Sequence, residues 1–222
     1  MVALFVILFV VLLLAVDLII QARHKKYPIM AAVPIAAPAS KRETLRVPKG
    51  VFFHPGHTWA RLQDGDSVSV GIDDFVQKAL GSIQAVTLPS VGEFVRQGDP
   101  VIGIQHGNKL MHLVAPVSGR IAAINRDVLE NPGLISENPY KDGWLFMVDA
   151  TEMAASLQVM RVAEQAIGWI KDEVKRFREF LAAGTMQPAV GEAMLDGGVP
   201  VAGSLDHLDE KGLNAFEEQF LR

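Results

Sequence analysis

Apolar and polar positions divide the chain of 222 residues into four stretches of different pattern. The first 22, MVALFVILFVVLLLAVDLIIQA, are apolar with one charge, Asp17. A helix of that length, at about 1.5 Å per residue, spans about 30 Å, the thickness of a bilayer's hydrocarbon core. Residues 23–49 open with the basic run RHKK; from residue 27 they have four prolines, many alanines and no usable period, which predicts an extended linker. Residues 50–149 alternate in short runs, among them HTWARLQ, SVSVGI, PVIGIQ, LMHLVAP, GRIAAIN and WLFMVD, separated by Gly, Pro, Asp and Asn. Period two with frequent turn residues predicts strands joined by tight turns, in a sandwich or flattened barrel. QDGDS reads as a hairpin turn and DDFVQKAL as a short helix capped by Asp73 and stopped by Gly81.

Residues 150–222 read as a helical extension. Ile167, Ile170, Val174, Phe177 and Leu181 recur at spacings of 3, 4, 3 and 4, one face of a helix running over 151–183. A flexible loop is expected over GTMQPAVGEAMLDGGVPVAGS. LDHLDEKGLNAFEEQFLR closes the chain as a weaker amphipathic helix, interrupted at Gly212.

Charge narrows the partners. The formal net charge is −4, without the basic face that nucleic-acid binding calls for. The apolar N-terminus is followed by Arg23, Lys25 and Lys26 and preceded by no basic residue. A cleaved leader has the reverse order. An uncleaved single-pass anchor with a cytoplasmic C-terminal part is therefore expected. The chain has no cysteine, which excludes disulfides, thiolate nucleophiles and zinc–thiolate sites. It also has no phosphate-binding glycine loop and no G-x-S-x-G elbow. His54 and His57 stand three apart in HPGH without further ligands in view, so structural histidines are expected and no metal site. No catalytic constellation emerges, and none of these residues is expected to be catalytic.

The middle domain resembles the glycine cleavage system H protein family. The resemblance is carried by HTW at 57–59, VGIDDFVQKALGSI at 70–83, LPSVGEFVRQGDP at 88–100, APVSGRIAAIN at 115–125 and, most distinctively, NPGLISENPYKDGWL at 131–145. It implies a mainly β fold of two antiparallel sheets, the barrel-sandwich hybrid of lipoyl carriers, with helices at its margins. It also implies lipoate in amide linkage to a hairpin lysine. In the family this arm takes an aminomethyl group from glycine decarboxylase, offers it to aminomethyltransferase and is reoxidised by dihydrolipoamide dehydrogenase. Such a protein is a carrier in glycine catabolism, not a catalyst.

The hairpin departs from the family pattern. VIGIQHGNKLMHLVAPVSGRI predicts two strands around a Gly107-Asn108 tip, with His106 and Lys109 opposite each other. The family's lysine lies eight residues before the Pro of Pro-Val-Ser-Gly, whereas Lys109 lies seven before Pro116. Aligned from Pro116, Gln105 takes the family's Glu position and Asn108 its Lys position. Aligned on the lysine, His106 falls at the Glu position and the returning strand is one residue short. Two readings of Lys109 follow: the lipoyl attachment point, or a common edge lysine that keeps the hairpin soluble. The corresponding functions are a membrane-anchored H-type carrier and a non-lipoylated H-like binding or assembly module at the membrane.

Overall fold

The computed structural model describes residues 45–63, 65, 67–184, 194–195 and 199–222. The expected membrane span and the linker up to residue 44 lie outside the described residues. Among the described residues no helix is long and apolar enough to cross a membrane.

Two antiparallel sheets carry the architecture. The larger contains β1 (Phe52–Phe53), β2 (Thr58–Leu62), β3 (Ser67–Ile72), β5 (Phe94–Val95), β8 (Gly119–Ile124) and β9 (Phe146–Ala150), in the order β1-β2-β3-β9-β8-β5. The smaller holds β4 (Ala85–Thr87), β6 (Pro100–His106) and β7 (Lys109–Val114), in the order β4-β6-β7. The expected two-sheet, mainly β fold is what these residues form. Alternation explains it. Val68, Val70, Ile121, Phe146 and Val148 from one sheet and Ile102, Ile104, Met111 and Leu113 from the other bury their side chains in one cluster. The residues between them point to the opposite face of each sheet.

Short helices close the gaps. α1 (Asp74–Leu80) begins where the Asp73 carboxylate accepts the Val76 N–H (3.0 Å), and ends at Gly81. Both of its predicted caps are as expected. α2 (Arg126–Glu130) and α3 (Gly133–Glu137) follow β8; the Asn125 side chain starts α2 by accepting from the Asp127 N–H.

The C-terminal region departs from its reading in four ways. The helix expected over 151–183 is two helices, α4 (Met153–Leu157) and α5 (Ala163–Gly184). Between them Arg161 bridges to Phe53 through paired backbone hydrogen bonds of 2.8 Å, which a continuous helix would forbid. The buried face of α5 comprises Ala166, Ile170, Val174, Phe177 and Leu181, while Ile167 is 42 % exposed. Ile167 stands about 100° around the helix from buried Ala166, so it lies at the margin of the buried stripe rather than within it. The stretch expected to be a loop contains the strand pair β10 (Met194–Leu195) and β11 (Val199–Pro200), then a 3-10 turn at Ser204–His207. Finally, α6 (Glu210–Phe220) runs through Gly212 without interruption. Gly212 sits in the first turn, and its N–H donates to the capping Asp209 carboxylate at 2.8 Å.

Aromatic side chains join these helices to the sheets. Phe216 and Phe220 of α6 stack at 5.0 Å between ring centres. Phe177 of α5 meets both edge-on, and Phe75 of α1 lies against Phe177 and Phe220. All four are completely buried. Each such phenylalanine stabilises the fold by roughly 2–3 kcal/mol of apolar burial.

Candidate functional site: the β6–β7 hairpin

The β6–β7 ladder pairs Ile104 with Met111, Gln105 with Leu110 and His106 with Lys109. The two-residue tip is Gly107-Asn108, as the sequence pattern predicts. Gly107 has φ +56°, and Asn108 is not among the residues of positive φ. This matches the primed turn with glycine in its first central position, so only Gly107 meets the left-handed demand. The Gln105 side chain donates to the Gly107 carbonyl at 2.7 Å and steadies the turn.

Register decides where Lys109 points. Side chains alternate along β7, so Lys109 shares a face with buried Met111 and Leu113, while Leu110 and His112 face the other way. Lys109 therefore stands at the end of the inward-facing row. Its side chain is only 16 % exposed. Asn108 holds the exposed apex.

α6 explains the low exposure. Lys109 Nζ lies 2.9 Å from Glu217 Oε2 and donates to Asn214 Oδ1 at 2.5 Å. Asn214 and Glu217 are three apart and thus neighbours on one helix face. Glu217 also accepts the His112 backbone N–H at 3.1 Å, and its Oε1 lies 3.3 Å from His112 Nδ1. Since β7 is an edge strand, this carboxylate caps a backbone donor that no neighbouring strand pairs. Burial works against the Glu217 charge. Hydrogen bonds from Lys109 and the His112 amide overrule it and hold the carboxyl below its ordinary range.

On the opposite flank, a cleft of about 260 Å³ is lined by residues that include Ser82, Gln84, His106, Asn108, Leu205 and Asp206. His106 Nε2 lies 3.4 Å from Asp206 Oδ1. The hairpin tip is thus flanked on both sides by the C-terminal segment.

A separate buried cluster surrounds His57. The turn His54-Pro55-Gly56-His57 closes with the His57 N–H on the His54 carbonyl (3.0 Å), and His57 sits at φ +59°. Its ring packs between Phe75 and Trp169. Nδ1 lies 2.7 Å from Asp73 Oδ2, and Nε2 is 3.6 Å from Glu173 Oε2. Burial alone would push this imidazole down; the Asp73 carboxylate, helped by Glu173, reverses that and leaves it at about 8. His54 goes the other way. Burial, with His57 and Arg161 nearby, lowers it to about 4, and its Nδ1 accepts the Gly56 N–H. Among the described residues no group of His, Asp and Glu is arranged to hold a metal ion. The cluster ties the β1–β2 turn, the α1 N-terminus and α5 together.

The sequence placed His106, Gly107, Asn108 and Lys109 correctly. It did not connect Lys109 with Asn214 and Glu217, which lie more than 100 residues further along. Nor did it pair His57 with Asp73 and Glu173.

The sequence model of the glycine cleavage H-protein family matches residues 51–173, more than half of the chain. The chain belongs to the glycine cleavage H-protein family. It is similar to the glycine cleavage system H protein of Geobacillus sp. (strain WCH70), with 31% identity over 128 residues, 58% of this chain and 99% of that protein. It is similar also to the H protein of Listeria monocytogenes serotype 4a (strain HCC23), 36% identical over 110 residues, 50% of this chain and 87% of that protein. Among solved structures it resembles the crystal structure of a glycine cleavage system H protein from Mycobacterium marinum. That match has a TM-score of 0.50 and 29% identity, over 55% of this chain and 98% of the other. The H-protein match ends within α5, so β10, β11 and α6 lie beyond it.

Proposed function

We propose that this chain is an H-type carrier held at a membrane by residues 1–22, with Lys109 as the attachment point of a lipoyl group. Family membership supports the carrier role. The observation that carries the site is that the hairpin's one lysine stands beside the tip of a rigid antiparallel ladder. Its Nζ is the donor that an amide-linked acyl group needs. The donor thus fits lipoate, and α6 is the obstacle to access. When bound, the lipoyl group supplies a long arm ending in a reducible dithiolane. The chain's own part is to present the arm from a stiff base, at high effective concentration to enzymes sharing the membrane surface. By family role those enzymes are glycine decarboxylase, aminomethyltransferase and dihydrolipoamide dehydrogenase. The C-terminal domain faces the cytoplasm in this reading.

A second reading is favoured by one specific observation. Asn108 occupies the apex at the spacing where the family has its lysine, and Lys109 is held down by Glu217 and Asn214. In that reading the chain is a non-lipoylated H-like module that binds or assembles partners at the membrane. Treatment of the full chain with a lipoate-attaching ligase, ATP and lipoate, followed by peptide mapping, separates the two. The carrier reading expects the added mass on the peptide containing Lys109. Peptides covering the hairpin with no added mass favour the module.

A further inference from the structure

The last part of the chain returns to the hairpin from outside the family match. The Gly203 N–H donates to the Lys78 carbonyl at the end of α1 (3.0 Å). The backbones approach so closely there that a Cβ on Gly81 would stand 2.7 Å from the Gly203 Cα. Leu205 is buried beyond this crossing, and Asp209 then caps α6. One face of α6 plants Phe216 and Phe220 among the aromatic side chains of α1 and α5. Another turns Asn214 and Glu217 onto Lys109. The Gln219 carbonyl accepts from Arg176 of α5 at 2.8 Å, which ties down the far end.

We propose that this C-terminal segment is a latch: α6 closes over Lys109 and withholds its amine from acylation until the segment lifts from the hairpin. The proposal rests on the reading that Lys109 is the attachment lysine and adds its regulation. Acylation needs a neutral amine with its lone pair free and room for the acyl donor. An ammonium directed at Glu217 and Asn214 has neither. In the step itself the Nζ–carbon bond forms and the bond between the acyl carbon and the phosphate of an acyl adenylate breaks. The adenylate leaves as AMP; of the two protons that Nζ loses, one passes to solvent as the ammonium is neutralised and the other leaves as the amide forms, taken up by the AMP phosphate or by water. The product amide has no charge, so the ion pair with Glu217 cannot re-form. Modification therefore leaves the latch weakened at its central contact, and the acylated chain stays open more than the unmodified one.

The test uses the full chain and a small acetylating ester, with rates read per lysine by mass spectrometry. Exposed Lys141 serves as internal reference. Lys109 is expected to react several times more slowly than Lys141. Glu217→Ala should raise the Lys109 rate about fivefold, the factor expected of an ion pair at the strong end of the exposed range. Asn214→Ala, at an exposed position that leaves the aromatic contacts alone, should raise it by a smaller factor. Lys141 should be unchanged in both. A native Lys109 as fast as Lys141, or a rate that neither substitution changes, overturns the latch. The same proteins are then given lipoate, ATP and ligase. Faster acetylation without any lipoyl mass sustains the latch and rejects the carrier reading. Full lipoylation of native protein at the rate of Glu217→Ala sustains the carrier and rejects the latch.

Discussion

His57 Nδ1 lies 2.7 Å from Asp73 Oδ2 with both side chains fully buried, while His54, three residues earlier, accepts a backbone hydrogen bond and stays neutral. The two histidines titrate in opposite directions, and this sets a stability optimum. His57 is raised from 6.5 to about 8. Its contribution is fully present below pH 6.5 and is lost as pH rises through 8. His54 is lowered from 6.5 to about 4. The folded state resists its protonation, so stability falls as pH drops from 6.5 towards 4. The groups facing His57 are Asp73 before α1 and Glu173 on α5, the latter 2.8 Å from Arg176; His54 faces His57 and Arg161. Urea unfolding across pH 4–9 should therefore peak near pH 6.5. His57→Gln should flatten the alkaline limb by on the order of 2 kcal/mol, and His54→Asn the acid limb by a similar amount. An alkaline limb that survives His57→Gln unchanged contradicts this assignment.

The sheets, the caps of α1 and the hairpin tip were legible in the sequence because their causes are local. Period two marks a half-buried strand, Asp73 and Gly81 mark helix ends, and Gly107 marks a primed turn. The break between α4 and α5 was not legible. It depends on Arg161 meeting Phe53, more than 100 positions away, and no glycine or proline marks it in QVMRV at 158–162. The site was half legible. Lys109 could be found from the turn beside it. Its engagement by Asn214 and Glu217 could not, because helix packing decides which polar face of α6 meets the hairpin. His57 in HPGH gave no sign that it is buried against two carboxylates.

Phe216 should be a strong test of how far α6 belongs to the core. It is completely buried against Phe177 and stacks on Phe220. Phe216→Ala is expected to cost about 3–5 kcal/mol of global stability by urea denaturation. A loss under about 1 kcal/mol would show that α6 is dispensable to the fold.

Gly107 carries the turn through its backbone alone. Nothing lies within 4 Å of where its Cβ would be, yet φ is +56°. Gly107→Val should therefore destabilise by roughly 1–3 kcal/mol from backbone strain without any steric clash. Gly107→Ala should lose a comparable amount, since the strain needs only a Cβ and not a large side chain. Thermal melts of the two variants check this, and a loss confined to the valine variant would refute the backbone explanation.

Position within the hairpin should govern modification. Asn108 is exposed at the apex, and Lys109 faces inward under α6. Transposing the lysine with Asn108→Lys and Lys109→Ala should raise the rate of lipoylation by about tenfold or more, because the amine leaves the Glu217 contact and gains the spacing of the family. Time courses with the same ligase decide this. A native chain that is modified as fast as the transposed one removes the significance assigned to the one-residue displacement.

The central proposal is that this H-family chain carries a lipoyl group on Lys109. Intact mass of the full chain, purified from cells that supply lipoate and the attaching ligase, tests it most directly. A species heavier by one lipoyl group, absent from Lys109→Arg, is expected. Unmodified mass under conditions that lipoylate a typical H protein would contradict it, as would added mass that persists in Lys109→Arg.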